Sequence, residues 1–143
     1  MGFLDSVVKD SKNEFASFAS EGIAAGDVES FVDTGSYIFN ALVSGSIYGG
    51  IPSNKITALA GESGTGKTFF CLSVVRNFLD LDPEAGVIYF ETESAISKQM
   101  IESRGIDSKR MVIMPVNTIE EFRTTSIRIV DKYMNNPKRI ANP

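Results

Sequence analysis

Histidine is missing from all 143 residues. Its absence removes imidazole acid–base chemistry and histidine-ligated metal sites. Catalysis is left to carboxylates, lysine, hydroxyls and a hard metal ion. Cysteine is nearly missing too: Cys71 stands alone, so no internal disulfide can form, and its apolar surroundings predict a small buried thiol. Positive charge is in the minority, with 14 Lys and Arg against 18 Asp and Glu and a net charge of −4. That balance gives no general electrostatic pull toward nucleic acid. The one basic cluster, Lys132 with Lys138 and Arg139, reads as a solvated helix end. No apolar run approaches the ~20 residues of a membrane span. The start, Met1 to Ser6, lacks the basic and apolar regions of a secretory signal. Gly2 and Ser6 fit the loose myristoylation pattern, but Asp5 and an amphipathic helix account for the segment without a lipid. A soluble protein of the cytoplasm is expected.

Against these absences stands Gly61-Glu62-Ser63-Gly64-Thr65-Gly66-Lys67-Thr68, a match to the phosphate-binding pattern G-x-x-x-x-G-K-[ST]. Before it, Lys55–Ala60 is short and mostly apolar, which predicts a buried parallel strand. After it, Phe69–Leu79 places apolar residues three and four apart, which predicts a helix. Gly61, Gly64 and Gly66 allow positive φ and close approach to an anion. Loop amides and the first helical turn, through Phe69, then supply donors and a positive dipole end. Lys67 is suited to the β- and γ-phosphates of ATP, and the Thr68 hydroxyl to Mg²⁺. A Gly-rich turn that binds nothing is the alternative, and a match in this strand–loop–helix context weighs against it.

With 43% hydrophobic and 22% charged residues, the chain has the composition of one globular domain. It opens with an amphipathic helix over about Gly2–Ser20, with Leu4, Val7, Val8, Phe15 and Phe18 on one face and Asp5, Lys9 and Glu14 on the other. That face packs on its own domain or on a neighbouring subunit. A short helix follows Thr34-Gly35-Ser36 and stops at Gly45. Beyond the phosphate loop come a strand over Val87–Glu91, a helix over Ala95–Arg104 ended by Gly105, and a strand over Met111–Met114 stopped by Pro115. A long helix to about Met134 then starts at Thr118-Ile119-Glu120-Glu121, a capping box. Period two puts Glu91 and Glu93 on one side of an extended strand end, where ligands bind in open α/β sheets. One of them could serve as general base to a water; both could equally be solvated carboxylates. The element order predicts an α/β fold: a three-layer P-loop NTPase with a mostly parallel sheet, preceded by an N-terminal helix. Three strands make a thin sheet, and the sequence stops where a fourth is expected, so the fold reads as truncated.

Taken together, Thr34-Gly35-Ser36, Leu42–Gly50, the phosphate loop, Tyr89–Glu93, Arg104–Asp107 and Pro115–Glu121 resemble the RecA-type recombinase core. The version resembled most is the UvsX-type recombinase of tailed bacteriophages. The likeness runs from about Asp33 onward, dividing the chain into an N-terminal helical segment, residues 1–33, and a partial RecA-like ATPase core, residues 34–143. It implies ATP and Mg²⁺ as cofactors, homo-oligomeric filaments on single-stranded DNA, and promotion of homologous pairing and strand exchange. It implies that Lys67 holds the γ-phosphate, Thr68 the Mg²⁺, and Glu93 the attacking water. It also implies that the N-terminal helix docks one protomer on the next. Met100 stands where several members place a tyrosine over the adenine. No residues match the Walker B strand or the DNA-contacting loops. Two other readings stay open: a non-catalytic nucleotide-binding or filament-docking module, and a small P-loop phosphotransferase, the latter without the Arg-rich lid expected of it.

Overall fold

Ser36, Ser97 and Thr118 each accept a hydrogen bond from the amide three residues on, and each opens a helix. These local caps set much of the element order. The computed structural model describes residues 2–13, 16–23 and 26–136, which fall into two compact units, Met1–Asn77 and Phe78–Pro143.

The first unit holds α1 (Phe3–Asp10), β1 (Phe31–Val32), α2 (Tyr37–Ser44), β2 (Ile51–Pro52) and most of α3 (Lys67–Leu81). β1 and β2 pair antiparallel, Phe31 with Pro52 and Val32 with Ile51. Gly50 makes that pairing possible: its φ is +144°, and a Cβ there would lie 2.0 Å from the Val32 carbonyl oxygen. Gly45 ends α2 in the left-handed region, as its sequence position predicts. Among the unit's described residues the buried side chains are Leu72, Thr34 and Asn40.

The N-terminal helix is shorter than its periodicity predicts. It ends at Asp10, Lys12 takes φ 51°, and the Asn13 amide bonds the Ser11 hydroxyl at 3.2 Å. A serine hydroxyl offers the backbone an alternative to the helical bond, and here it wins. Glu14 and Phe15, placed on that helix by sequence, lie outside the described residues, as do Met1, Lys138, Arg139 and the rest of the tail from Pro137.

The larger departure is Lys55–Ala60. The stretch forms no strand; Ile56 is fully exposed and Leu59 is 40% exposed. Apolar composition favours burial, but a strand also needs a ladder partner for its amides and carbonyls. Among the described residues the only ladders are β1–β2 and β3–β4, so this run has none. The expected three-stranded central sheet is accordingly not formed by the described residues.

The second unit holds β3 (Val87–Glu91), α4 (Lys98–Glu102), β4 (Met111–Pro115) and α5 (Ile119–Met134). β3 and β4 run parallel and in register from Val87–Met111 to Glu91–Pro115. Leu79, Ile101, Ile106, Met111 and Val116 are buried here. α5 places Phe122 edge-on against Phe90, ring centroids 4.8 Å apart. Of the rest of its apolar side, Ile129 is half-buried, and Ile119, Ile127 and Val130 remain exposed.

Candidate nucleotide-binding site

The phosphate loop bends where glycine allows it. Gly64 and Gly66 take φ of +78° and +89°, and beyond the adjoining residues no described atom lies within 4 Å of where a Cβ would stand on either. The loop thus keeps open space that a side chain would fill, in a conformation that side chains resist. α3 begins at once, and its first intrahelical bond runs from the Phe70 amide to the Gly66 carbonyl at 2.9 Å. The amides of Lys67 and Thr68 stand ahead of that bond, in the first turn of α3, where N–H groups face the loop.

Lys67 closes the loop on itself. Its ammonium donates to the Gly61 carbonyl at 2.9 Å and to the Glu62 carbonyl at 2.7 Å. The Thr65 hydroxyl donates to the same Glu62 carbonyl at 2.8 Å. Glu62, Ser63 and Thr65 are exposed, whereas Lys67 and Thr68 are half-buried. Neutral carbonyls are weaker partners for an ammonium than phosphate oxygens are, so an incoming phosphate can take Lys67 over. Open backbone space, a helix N-terminus, an exchangeable ammonium and a hydroxyl at the next residue fit a nucleotide phosphate with a hard cation.

The carboxylates predicted at the end of β3 part company. Glu91 closes the strand, and its Oε1 accepts from the amides of Glu93 at 3.2 Å and Ala95 at 3.1 Å. It shapes the following turn. Glu93 lies beyond the strand in that turn, exposed, and Ser94 takes φ 54°. The alternation that would align Glu93 with Glu91 therefore ends at Glu91, because the chain is no longer extended. Met100 is half-buried on α4, its amide bonded to the Ser97 hydroxyl at 3.2 Å. Glu91, Glu93 and Met100 belong to the second unit, the phosphate loop to the first.

Sequence reasoning missed two polar centres. Asn40, 1% exposed, bonds Asp33, Thr34 and the Ile47 carbonyl. A lone asparagine within an apolar helical stretch was its one signal. Arg110 reaches the carbonyls of Ala85 at 2.9 Å, Leu79 at 3.0 Å and Asp82, clamping the turn between α3 and β3. Nothing local in the sequence marks it. Cys71, expected to be buried, is half-buried, and what burial it has pushes its thiol up.

Comparison with known proteins agrees with this picture. A family model described as "ATPase: KaiC" matches residues 32–141, a span that takes in the phosphate loop, β3, β4 and α5. The chain is also similar to the "Recombination and repair protein" of Enterobacteria phage T4, 30% identical over 94 residues. That match covers 66% of this chain and 24% of the T4 protein, so the chain spans about a quarter of that relative's length. From a family match over well more than half of its length, this chain belongs to the KaiC-type ATPase family and has its RecA-like P-loop fold.

Proposed function

We propose that this chain is the ATP-binding part of a DNA-dependent recombination ATPase that forms filaments on single-stranded DNA and promotes homologous pairing and strand exchange. The observation that carries the reading is the loop at Gly61–Thr68, open at Gly64 and Gly66 and closed by an ammonium on its own carbonyls. Bound Mg²⁺·ATP supplies the phosphoanhydride to be cleaved and a cation to offset its charge. The loop amides hold phosphate oxygens, Lys67 neutralises charge on the outer phosphates, and the Thr68 hydroxyl offers an oxygen to the metal. Glu93 orients a water and accepts its proton, while Glu91 holds the turn that carries Glu93. Met100 supplies a polarisable sulfur for the adenine ring.

The recombination role is supported by similarity to the T4 protein. The docking role of residues 1–33 is supported by α1, whose Phe3, Leu4 and Val7 are exposed at 82%, 62% and 48%. Residues 34–143 form part of the ATPase core, in which Lys55–Ala60 becomes a strand of a three-layer sheet once a ladder partner is present. Titration with Mg²⁺·ATP tests the site directly. The full chain should bind nucleotide, and Lys67→Ala should weaken binding by at least about tenfold, the scale of one charge-assisted contact of about 1.5–3 kcal/mol. A folded chain with no affinity even at millimolar nucleotide ends this reading.

A further inference from the structure

The chain on both flanks of the phosphate loop is held by one short stretch, residues 31–34. Upstream of the loop, β2 pairs with β1, which is Phe31–Val32. Downstream, the Asn77 side chain on α3 donates to the carbonyl of Asp33, the next residue, at 2.8 Å. The two segments are in ordinary contact there: a Cβ on Gly35 would lie 3.6 Å from the Asn77 Nδ2.

Asn40 braces that stretch from inside. Its Oδ1 accepts from the Thr34 amide at 3.0 Å and from the Thr34 hydroxyl at 2.7 Å. Its Nδ2 donates to Asp33 Oδ1 at 2.9 Å and to the Ile47 carbonyl at 3.0 Å. Both lone-pair sites and both N–H groups of the amide are used, so its orientation is fixed by its partners. The neighbouring residue on α2, Phe39, lays its ring on Phe70 of α3, centroids 4.8 Å apart.

Phe70 and Asn77 are two helical turns apart, on one face of α3 and about 10.5 Å apart along its axis. A stiff helix gripped at two points on one face is fixed in both tilt and rotation. Lys67 lies one turn before Phe70, so the grip also fixes the direction in which Lys67 and Thr68 are presented. We infer that Asn77, seated on the Asp33–Asn40 cluster, is a positioning residue for the phosphate loop: it touches no nucleotide but sets the affinity for its phosphates. This rests on the nucleotide-binding reading above.

The test is Mg²⁺·ATP affinity of the full chain at 25 °C, with circular dichroism to show that each variant is folded. Asn77→Asp keeps the volume but cannot donate to the Asp33 carbonyl. It should bind about three- to tenfold more weakly, the range set by one net hydrogen bond. Asn77→Gln, which keeps a donor on a longer arm, should recover part of the loss. Ser73→Ala should bind as the parent does, since among the described residues that hydroxyl bonds the Phe69 carbonyl of its own helix and nothing near the loop. Should Asn77→Asp fail to fold, Asn77→Ala removes the donor without adding charge and should show the same weakening. A contact that merely holds structure would lower Tm and leave the affinity at 25 °C unchanged. Unchanged affinity in the Asn77 variants, with Lys67→Ala defective, overturns the positioning role and leaves the nucleotide site standing. A parent chain that binds no nucleotide overturns both.

Discussion

At Glu93 and Asp33 single carboxylates carry different duties. Glu93 is exposed in the turn after β3, with no part in holding that turn beyond its own amide, which bonds Glu91. Replacing it should therefore cost little stability. On the reading proposed above, Glu93→Gln should bind Mg²⁺·ATP nearly as the parent does and hydrolyse it about 10²–10⁴-fold more slowly, the usual contribution of a placed general base. Steady-state hydrolysis beside a binding titration separates the two effects; equal losses in both would assign Glu93 to binding. Asp33 instead holds structure. The Asn40 amide, followed by the Gly35 amide, holds its carboxyl below the ordinary carboxylate range, outweighing a small opposing effect of burial. Because its pKa is lowered on folding, its contribution is present above the unfolded value and is lost as pH falls through the folded one. The Tm gap between parent and Asp33→Asn should thus be constant above about pH 5 and shrink below about pH 4. A gap that does not change with pH would show that the charge of Asp33 is not what Asn40 and Gly35 read.

Among the elements, those with their signals close in sequence were legible. α2 starts at Ser36 and stops at Gly45, and α5 starts at Thr118, because a cap and its amide are three or four residues apart. In α5 the Glu121 carboxylate returns to the Asn117 amide at 2.8 Å, one residue before the position a capping box predicts. β3 and β4 were legible from short apolar runs bounded by Gly86 and Pro115. What decides Lys55–Ala60 is a ladder partner, and no local pattern encodes one. Arg110 was illegible for the same reason, since the carbonyls it clamps lie 25 to 31 residues away. Its planar fork answers three carbonyls at once, which a lysine ammonium on a flexible stem does not reproduce. Arg110→Ala should destabilise the protein by about 2–3 kcal/mol, and Arg110→Lys should restore less than half of that. Urea unfolding followed by circular dichroism measures both; a loss under about 0.5 kcal/mol for Arg110→Ala would mean that water replaces the clamp.

For the whole molecule the governing quantity is apolar surface left in water. Phe3, Leu42, Tyr48, Ile56 and Ile119 are 82%, 75%, 84%, 103% and 80% exposed, and among the described residues two two-stranded ladders leave strand edges unpaired. Exposed apolar side chains and open edges drive association, and a net charge of −4 offers little repulsion against it. The chain should therefore self-associate as its concentration rises from about 1 to 100 μM, the range in which weak contacts of about 5.5–8 kcal/mol saturate. Lys55–Ala60 is the segment to alter, because it combines exposed apolar side chains with backbone that has no ladder partner among the described residues. Burying one isoleucine is worth about 1.5–3 kcal/mol, so Ile56→Lys with Leu59→Lys should weaken association by about tenfold or more. The substitution brings the net charge closer to zero, so weaker association could not be credited to stronger repulsion. Sedimentation velocity across that range gives the answer. Unchanged association in the double variant would move the sticky surface from the phosphate-loop approach to α1 or α5, whose apolar faces are the other candidates.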